Sequence, residues 1–253
     1  MKKTTLKTIS KSAINTFIAL GLIVLVYEAC YLVFSKRSDV FPEFFHTLQL
    51  SISYLGDKEV VVSLGWSIYR VLISLLISSL LAYFLALISA RYNFFKKTIG
   101  PLIYVISAIP VTAIVLILIL FTKITCYIIV FLIVFPLVYK ASLSSISNVY
   151  KNYGDLIKLD ERNLMYINLK VVIPLSSKGF LTSVSQALGI ALKGEIAGEI
   201  FMSANRFKGI GILIRNAFDT ANIDRLFALT FLAIIFVGIF DLAIHLIKRA
   251  EAE

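Results

Sequence analysis

Ser67-Ile-Tyr-Arg-Val-Leu-Ile-Ser-Leu-Leu-Ile-Ser-Ser-Leu-Leu-Ala-Tyr-Phe-Leu-Ala-Leu-Ile-Ser-Ala90 is a 24-residue stretch with one charge, Arg70. About 20 mainly apolar residues cross the hydrocarbon core of a bilayer as a helix. Hydrocarbon has no partner for a free backbone amide, so such a stretch must satisfy its own N–H and C=O groups. The apolar residues do not alternate as in a strand, which argues against a β-barrel.

Five further runs read the same way: Ile14–Phe34, Ile99–Phe121, Ile124–Tyr139, Val171–Leu192 and Leu226–Ile247. The expectation is an all-α, polytopic membrane protein with about six transmembrane helices. Composition agrees. Hydrophobic residues make up 59% of the 253 and the mean hydropathy is +0.90, against about 45–50% apolar for soluble chains. The first run follows Lys2, Lys3, Lys7 and Lys11, as in a signal peptide. It has bilayer-spanning length and no A-x-A-like site, so it is read as an uncleaved first helix.

The net charge of +10 lies between the apolar runs and forms no continuous basic face, so nucleic-acid binding is set aside. It suits positive-inside sorting. Arg91, Lys96, Lys97, Lys140, Lys151, Lys158, Arg162, Lys170, Lys248 and Arg249 fall on the side of the N-terminal lysines. The opposite loops carry Asp39, Glu43, Asp57, Glu59, Asp219 and Asp224. Both termini are therefore expected in the cytoplasm. Cys30 and Cys126 suggest no disulfide framework, and His46 and His245 have no ligand-spaced companions.

Two hydrophilic segments remain, 139–170 on the cytoplasmic side and 193–225 outside. In the first, Leu156, Leu159, Asn163 and Tyr166 or Ile167 recur at helical spacing with charges between. A short amphipathic helix of this kind lies on a membrane surface or docks in a partner's groove. Pro174 opens the next span, where a missing N–H costs little. In the second, Lys193, Glu195 and Glu199 form an ionisable cluster. Two readings stand, an outer gate or pathway lining and a salt bridge joining helix ends. Gly209 and Gly211 suit a tight reversal. Arg70 either snorkels outward or pairs with an acid such as Asp241. Pro110 and Pro136 should kink their helices, and Trp66 and Tyr69 fit an interfacial belt.

The segment from Asp155 to Pro174 resembles the cytoplasmic EAA loop of bacterial ABC-importer permeases. Asp155 takes the place of the leading Glu, Leu156 and Ile157 replace the two alanines, Glu161 replaces the Gly, and Pro174 closes the pattern. Leu192-Lys-Gly-Glu-Ile-Ala-Gly-Glu199 is similar to the W-K-x-G-[IV]-A-A-E segment of the nitrate/sulfonate/taurine-type permeases. Gly209-Ile-Gly211, Asp224-Arg-Leu-Phe-Ala228, Gly238-Ile-Phe-Asp241, Ser67-Ile-Tyr-Arg70-Val and Ala108-Ile-Pro110 fit the same family's order, over residues 67–248.

The resemblance implies a type I ABC-importer permease-like (MetI-like) bundle in a bacterial inner membrane. Residues 1–66 would supply a first helix and linker, and 67–248 the permease core with its coupling loop near 153–170. The chain would form the solute pathway without chemistry of its own. ATP and Mg would sit on a cytoplasmic ATPase dimer, and no cofactor on this chain. An extracytoplasmic binding protein would deliver a small anion or a vitamin precursor, and two permease copies would pair, or one copy with a related second permease. Asp155, Leu159, Glu161, Asn163, Leu164, Met165 and Pro174 would couple to the ATPase. In that coupling Leu159, Leu164 and Met165 would fill its cleft, and Asp155 and Glu161 would match its charge. Pro110, Lys193, Glu195, Glu199, Gly209 and Gly211 would line or gate the pathway.

An enzyme reading lacks its motifs: there is no G-x-S-x-G, no H-E-x-x-H, no phosphate-cradling Gly-Lys-Ser/Thr loop and no intramembrane carboxylate pair. The alternative is an ion-coupled secondary transporter or channel working without an ATPase. Such carriers place ionisable groups near the bilayer midplane. Here the charges gather at the ends of the runs, which favours an externally powered permease. A membrane scaffold without a transport role ranks below both.

Overall fold

The computed structural model describes residues 18–19, 21–34, 41–159, 164–202 and 207–250. Among them every regular element is helical. In chain order these are α1 (Gly21–Phe34), α2 (Phe44–Ser53), α3 (Lys58–Arg91), α4 (Asn93–Ala108), α5 (Val111–Phe121), α6 (Thr125–Leu159) and α7 (Leu164–Ile167). A π-helical turn, Asn168–Val172, leads into α8 (Ile173–Ile200), followed by α9 (Ile210–Asp219) and α10 (Ile223–Ala250). Among the described residues three helical stretches, Lys58–Arg91, Thr125–Ile157 and Ile223–Ile244, are long and apolar enough to cross a membrane, and α4 with α5 reaches that length and apolarity only when the bent pair is taken together. The first and fifth apolar runs supply α1, a shorter apolar helix, and α8.

The centre of the bundle is α3, α6 and α8, which pack most extensively on one another. α3 starts at Asp57, whose side chain accepts the Glu59 N–H at 2.9 Å and so satisfies one of the orphan donors of the first turn. Its buried face steps through Ser63, Ser67, Arg70, Ser74, Ser78 and Ala82. This is a column of small residues at helical spacing with one guanidinium in it. Small side chains let helix backbones approach closely where lipid supplies no hydrophobic drive. Val71, Val130, Val134, Val138 and Ala187 fill the seam between the three helices. α1 is tied in by aromatic contacts, Tyr27 packing against Phe41, Phe44 and Phe231.

Four sequence expectations change here. The third run is not one kinked span, for α4 and α5 meet at 91°. A residue before proline is pushed out of the helical region, and Ile109 is extended (φ −65°, ψ 122°). The carbonyl of Pro110 then accepts the N–H groups of Ala113 and Ile114 to start α5. Second, α6 does not stop at Tyr139 but continues through Pro136 and on to Leu159. Its 35 residues make about 52 Å at 1.5 Å per residue, well beyond the hydrocarbon thickness. Lys140 and Lys151 are thus helical rather than in a loop. Third, α8 reaches Ile200, so Lys193, Glu195 and Glu199 are inside a helix. Fourth, much of the segment read as an external loop is α9, whose Ile210, Ile212, Leu213 and Ile214 are buried in the bundle. α9 closes in a Schellman turn. Asn222 N–H donates to Ala217 C=O and Ala221 N–H to Phe218 C=O, with Ala221 left-handed at φ 52°.

Candidate functional site

Arg70 is the only Asp, Glu, Lys or Arg between Glu59 and Arg91. It lies about 18 Å along α3 from Lys58 at the helical rise. The i,i+4 spacing of Glu195 and Glu199 puts both carboxylates on one face of α8, turned toward α3. Arg70 Nε donates to Glu195 Oε1 at 2.6 Å, and Arg70 Nη2 donates to Glu199 Oε1. Both glutamates are completely buried and the Arg70 side chain is 6% exposed. Ser67, one turn before Arg70, donates its hydroxyl to Glu199 Oε1 at 2.7 Å.

α9 completes the cluster. The Gly211 N–H donates to Glu199 Oε2 at 2.8 Å, and the Ile210 N–H to Ser67 Oγ at 3.1 Å. These amides belong to the first turn of α9, where free N–H groups and the helix dipole favour a carboxylate. Glu199 therefore joins three elements, α3, α8 and α9. With both carboxylates ionised the cluster carries two negative charges against one positive. Glu195 Oε2 is buried and, among the described residues, has no hydrogen-bond partner.

The glycines serve a purpose other than the predicted reversal. Gly209 is extended at φ 173°, a conformation open to any residue. A Cβ there would overlap the Glu199 carboxylate, and a Cβ on Gly211 would overlap the Ile196 carbonyl and the Glu199 side chain. It is the close approach of α9 to α8 that requires glycine. Overpacking costs about 1–3 kcal/mol. Gly211→Ala should therefore lower the thermal midpoint of the purified protein by several degrees, measured by tryptophan fluorescence on heating, while Gly56→Ala, which has open space around it, should not.

Arg70 was expected either to snorkel outward or to pair with an acid such as Asp241; it pairs with Glu195 and Glu199, and Asp241 pairs with Lys193 at 3.0 Å on the other flank of α8. Glu195 and Glu199 are a buried carboxylate pair, where none was expected. The signal was present in Arg70, a lone guanidinium inside an apolar run that must find acids at its own depth. Pro110 belongs to neither group and marks the α4–α5 break.

At the far end of α3, Asp155 is on an exposed turn of α6, and Leu159 is its last residue. Leu164 and Met165 form part of α7, and Pro174 occupies the first turn of α8. Glu161 and Asn163 lie outside the described residues. Tyr150 donates its hydroxyl to Asn168 Oδ1 at 3.2 Å, tying α6 to the π-helical turn. Leu156, Leu169 and Tyr153 are exposed there, an apolar surface at the end of the bundle.

Residues 78–251 match the family described as the binding-protein-dependent transport system inner membrane component. The chain belongs to this family. It is the permease subunit of an ABC importer, and ATP is hydrolysed on a partner subunit rather than on the permease itself. No curated protein matches the permease in sequence. Among solved structures, a chain of the MetNI methionine ABC transporter in inward-facing conformations is similar, with a TM-score of 0.58 and 14% identity, covering 77% of the permease and 98% of that chain. At that identity the likeness is one of fold. The family also bears on the ion-coupled alternative. The buried charges would have suited it, but membership places the energy source on an ATPase.

Proposed function

We propose that the permease works as a homodimer whose two α6–α7–α8 ends seat in a cytoplasmic ATPase dimer, with an extracytoplasmic binding protein delivering a small solute to the opposite face. The observation that supports this best is the exposed apolar end formed by α6, α7 and the π-helical turn, where the EAA-like segment from Asp155 to Pro174 falls. ATP-driven closure of the ATPase would carry each such end with it. α8 runs without interruption from Pro174 to Glu199, so movement at one end reaches the ionic cluster at the other as a rigid-body shift.

In this reading Arg70, Glu195 and Glu199 hold α3, α8 and α9 as one moving unit, with Gly209 and Gly211 allowing the contact. Pro110 gives the broken α4–α5 span its bend beside α8. Leu159, Leu164 and Met165 would fill the ATPase cleft, Asp155 and Glu161 would match its charge, and Asn163 would belong to the same coupling segment. Residues 67–248 form the moving core, and 1–66 a peripheral helix and linker. ATP and Mg stay on the partner.

Orientation is the condition on which coupling depends. Tyr153→Cys in intact cells should resist a membrane-impermeant maleimide and react only after permeabilisation, and Lys208→Cys should react in intact cells. The reversed pattern would put the coupling end outside and defeat the proposal.

A further inference from the structure

We propose that the groove between α8 and α10 is an intramembrane solute site that takes a small zwitterion with an apolar body. The inference rests on the permease reading and adds a substrate class to it.

The groove has a volume of about 560 Å³, within the usual range of small-molecule sites. Ile196, Ile200, Ile234 and Val237 give it apolar walls, and Lys193 and Asp241 lie together on its lining. Asp241 is the only Asp, Glu, Lys or Arg between Arg225 and Lys248, about 27 Å along α10 from Ile223 at the helical rise. Asp241 therefore falls within the apolar stretch Ile223–Ile244, three residues from its end, and the Lys193 and Asp241 side chains are 61% and 44% exposed. Charged groups at that depth face protein or water rather than lipid. A concave, apolar and charge-bearing surface between α8 and α10 fits a water-filled pathway.

The pair is also open to a ligand. An ammonium has three donors and a carboxylate about four acceptor sites, and Lys193 and Asp241 use one bond on each other, Nζ to Oδ2 at 3.0 Å. The carboxylate is held close against α8 because position 189 is glycine, where a Cβ would collide with Asp241 Oδ1. A solute with one charge would pair with one partner and strand the other in a low-dielectric groove, at a cost. A solute with both an anionic and a cationic group satisfies Lys193 and Asp241 together, and its apolar body covers the isoleucine walls.

The test uses the full chain in nanodiscs, with Cys30→Ala and Cys126→Ala, and Ile234→Cys as the reporter. A cationic water-soluble methanethiosulfonate should modify Ile234→Cys at least tenfold faster than Ile239→Cys, which points about 140° away round α10. Leucine should slow the reaction at concentrations tenfold lower than 4-methylpentanoate or 3-methylbutylamine, which each keep one of its charges. Lys193→Gln and, separately, Asp241→Asn should abolish that preference. An unreactive Ile234→Cys, a disulfide between two copies at that position, equal protection by the singly charged probes, or no protection at all would each overturn the site. None of these results depends on ATPase binding at the α6–α7 end, so the two proposals fail separately.

Discussion

Arg70→Met destabilises the permease by about 3–5 kcal/mol, the usual cost of removing one partner from a buried ion pair. The loss is large because Glu195 and Glu199 remain, both fully buried, with no cation between them. At about 2–4 °C per kcal/mol for a chain of this size, the thermal midpoint in nanodiscs should fall by about 10 °C. Arg70→Lys should recover only part of it, since an ammonium cannot reproduce the guanidinium fork that spans two carboxylates. Replacing all three as Arg70→Met, Glu195→Gln and Glu199→Gln removes the stranded charges and should recover a substantial share. An Arg70→Met protein as stable as the parent would show that the cluster does not hold α3 to α8.

The second large effect is at the other end of α8. Leu159→Asp with Met165→Asp puts two carboxylates into the surface proposed to enter the ATPase cleft. Hot-spot truncations at interfaces cost about 2 kcal/mol or more, and a buried unpaired charge adds to that, so retention of the ATPase on the purified permease should fall at least a hundredfold. The thermal midpoint of the purified double variant, measured alongside, separates loss of docking from loss of fold, because Ile157 and Ile167 close by belong to the core. Unchanged ATPase retention would remove the coupling role from this segment.

The two effects also mark what the sequence can and cannot say. The membrane class was legible because lipid admits few backbone solutions, and a 24-residue run with one charge is nearly sufficient to state it. The break at Pro110 was legible as a kink, but its size of 91° depends on tertiary packing. Helix ends were misplaced where charges were read as leaving the membrane. Lys193, Glu195 and Glu199 ended the fifth run in hydropathy, yet α8 continues past them, and partners on α3 and α9 hold Glu195 and Glu199 inside the bundle. Lys140 likewise ended the fourth run, while α6 runs on beyond it. The column of Ser63, Ser67, Ser74 and Ser78 holds the key to the α3 seam, but in sequence it looks like polar residues scattered in an apolar run. Gly209 and Gly211 read in sequence as a tight reversal, because local turn chemistry is visible there and the approach of a distant helix that leaves no room for a Cβ is not.

The buried ionic cluster also constrains how coupling can work. A buried group of this kind resists separation of α3 from α8, so it belongs to a unit that moves as a body rather than to a surface that opens. Opening would then take place on the other flank of α8, where Lys193 and Asp241 face the groove.

The most direct measurement places a photo-crosslinking amino acid at position 159 and irradiates native membranes that have been incubated with radiolabelled azido-ATP. Partnership with an ATPase through the α6–α7 end predicts an adduct of the permease and a second polypeptide that carries the nucleotide label. Crosslinks confined to the permease itself, or an adduct without nucleotide, would contradict it.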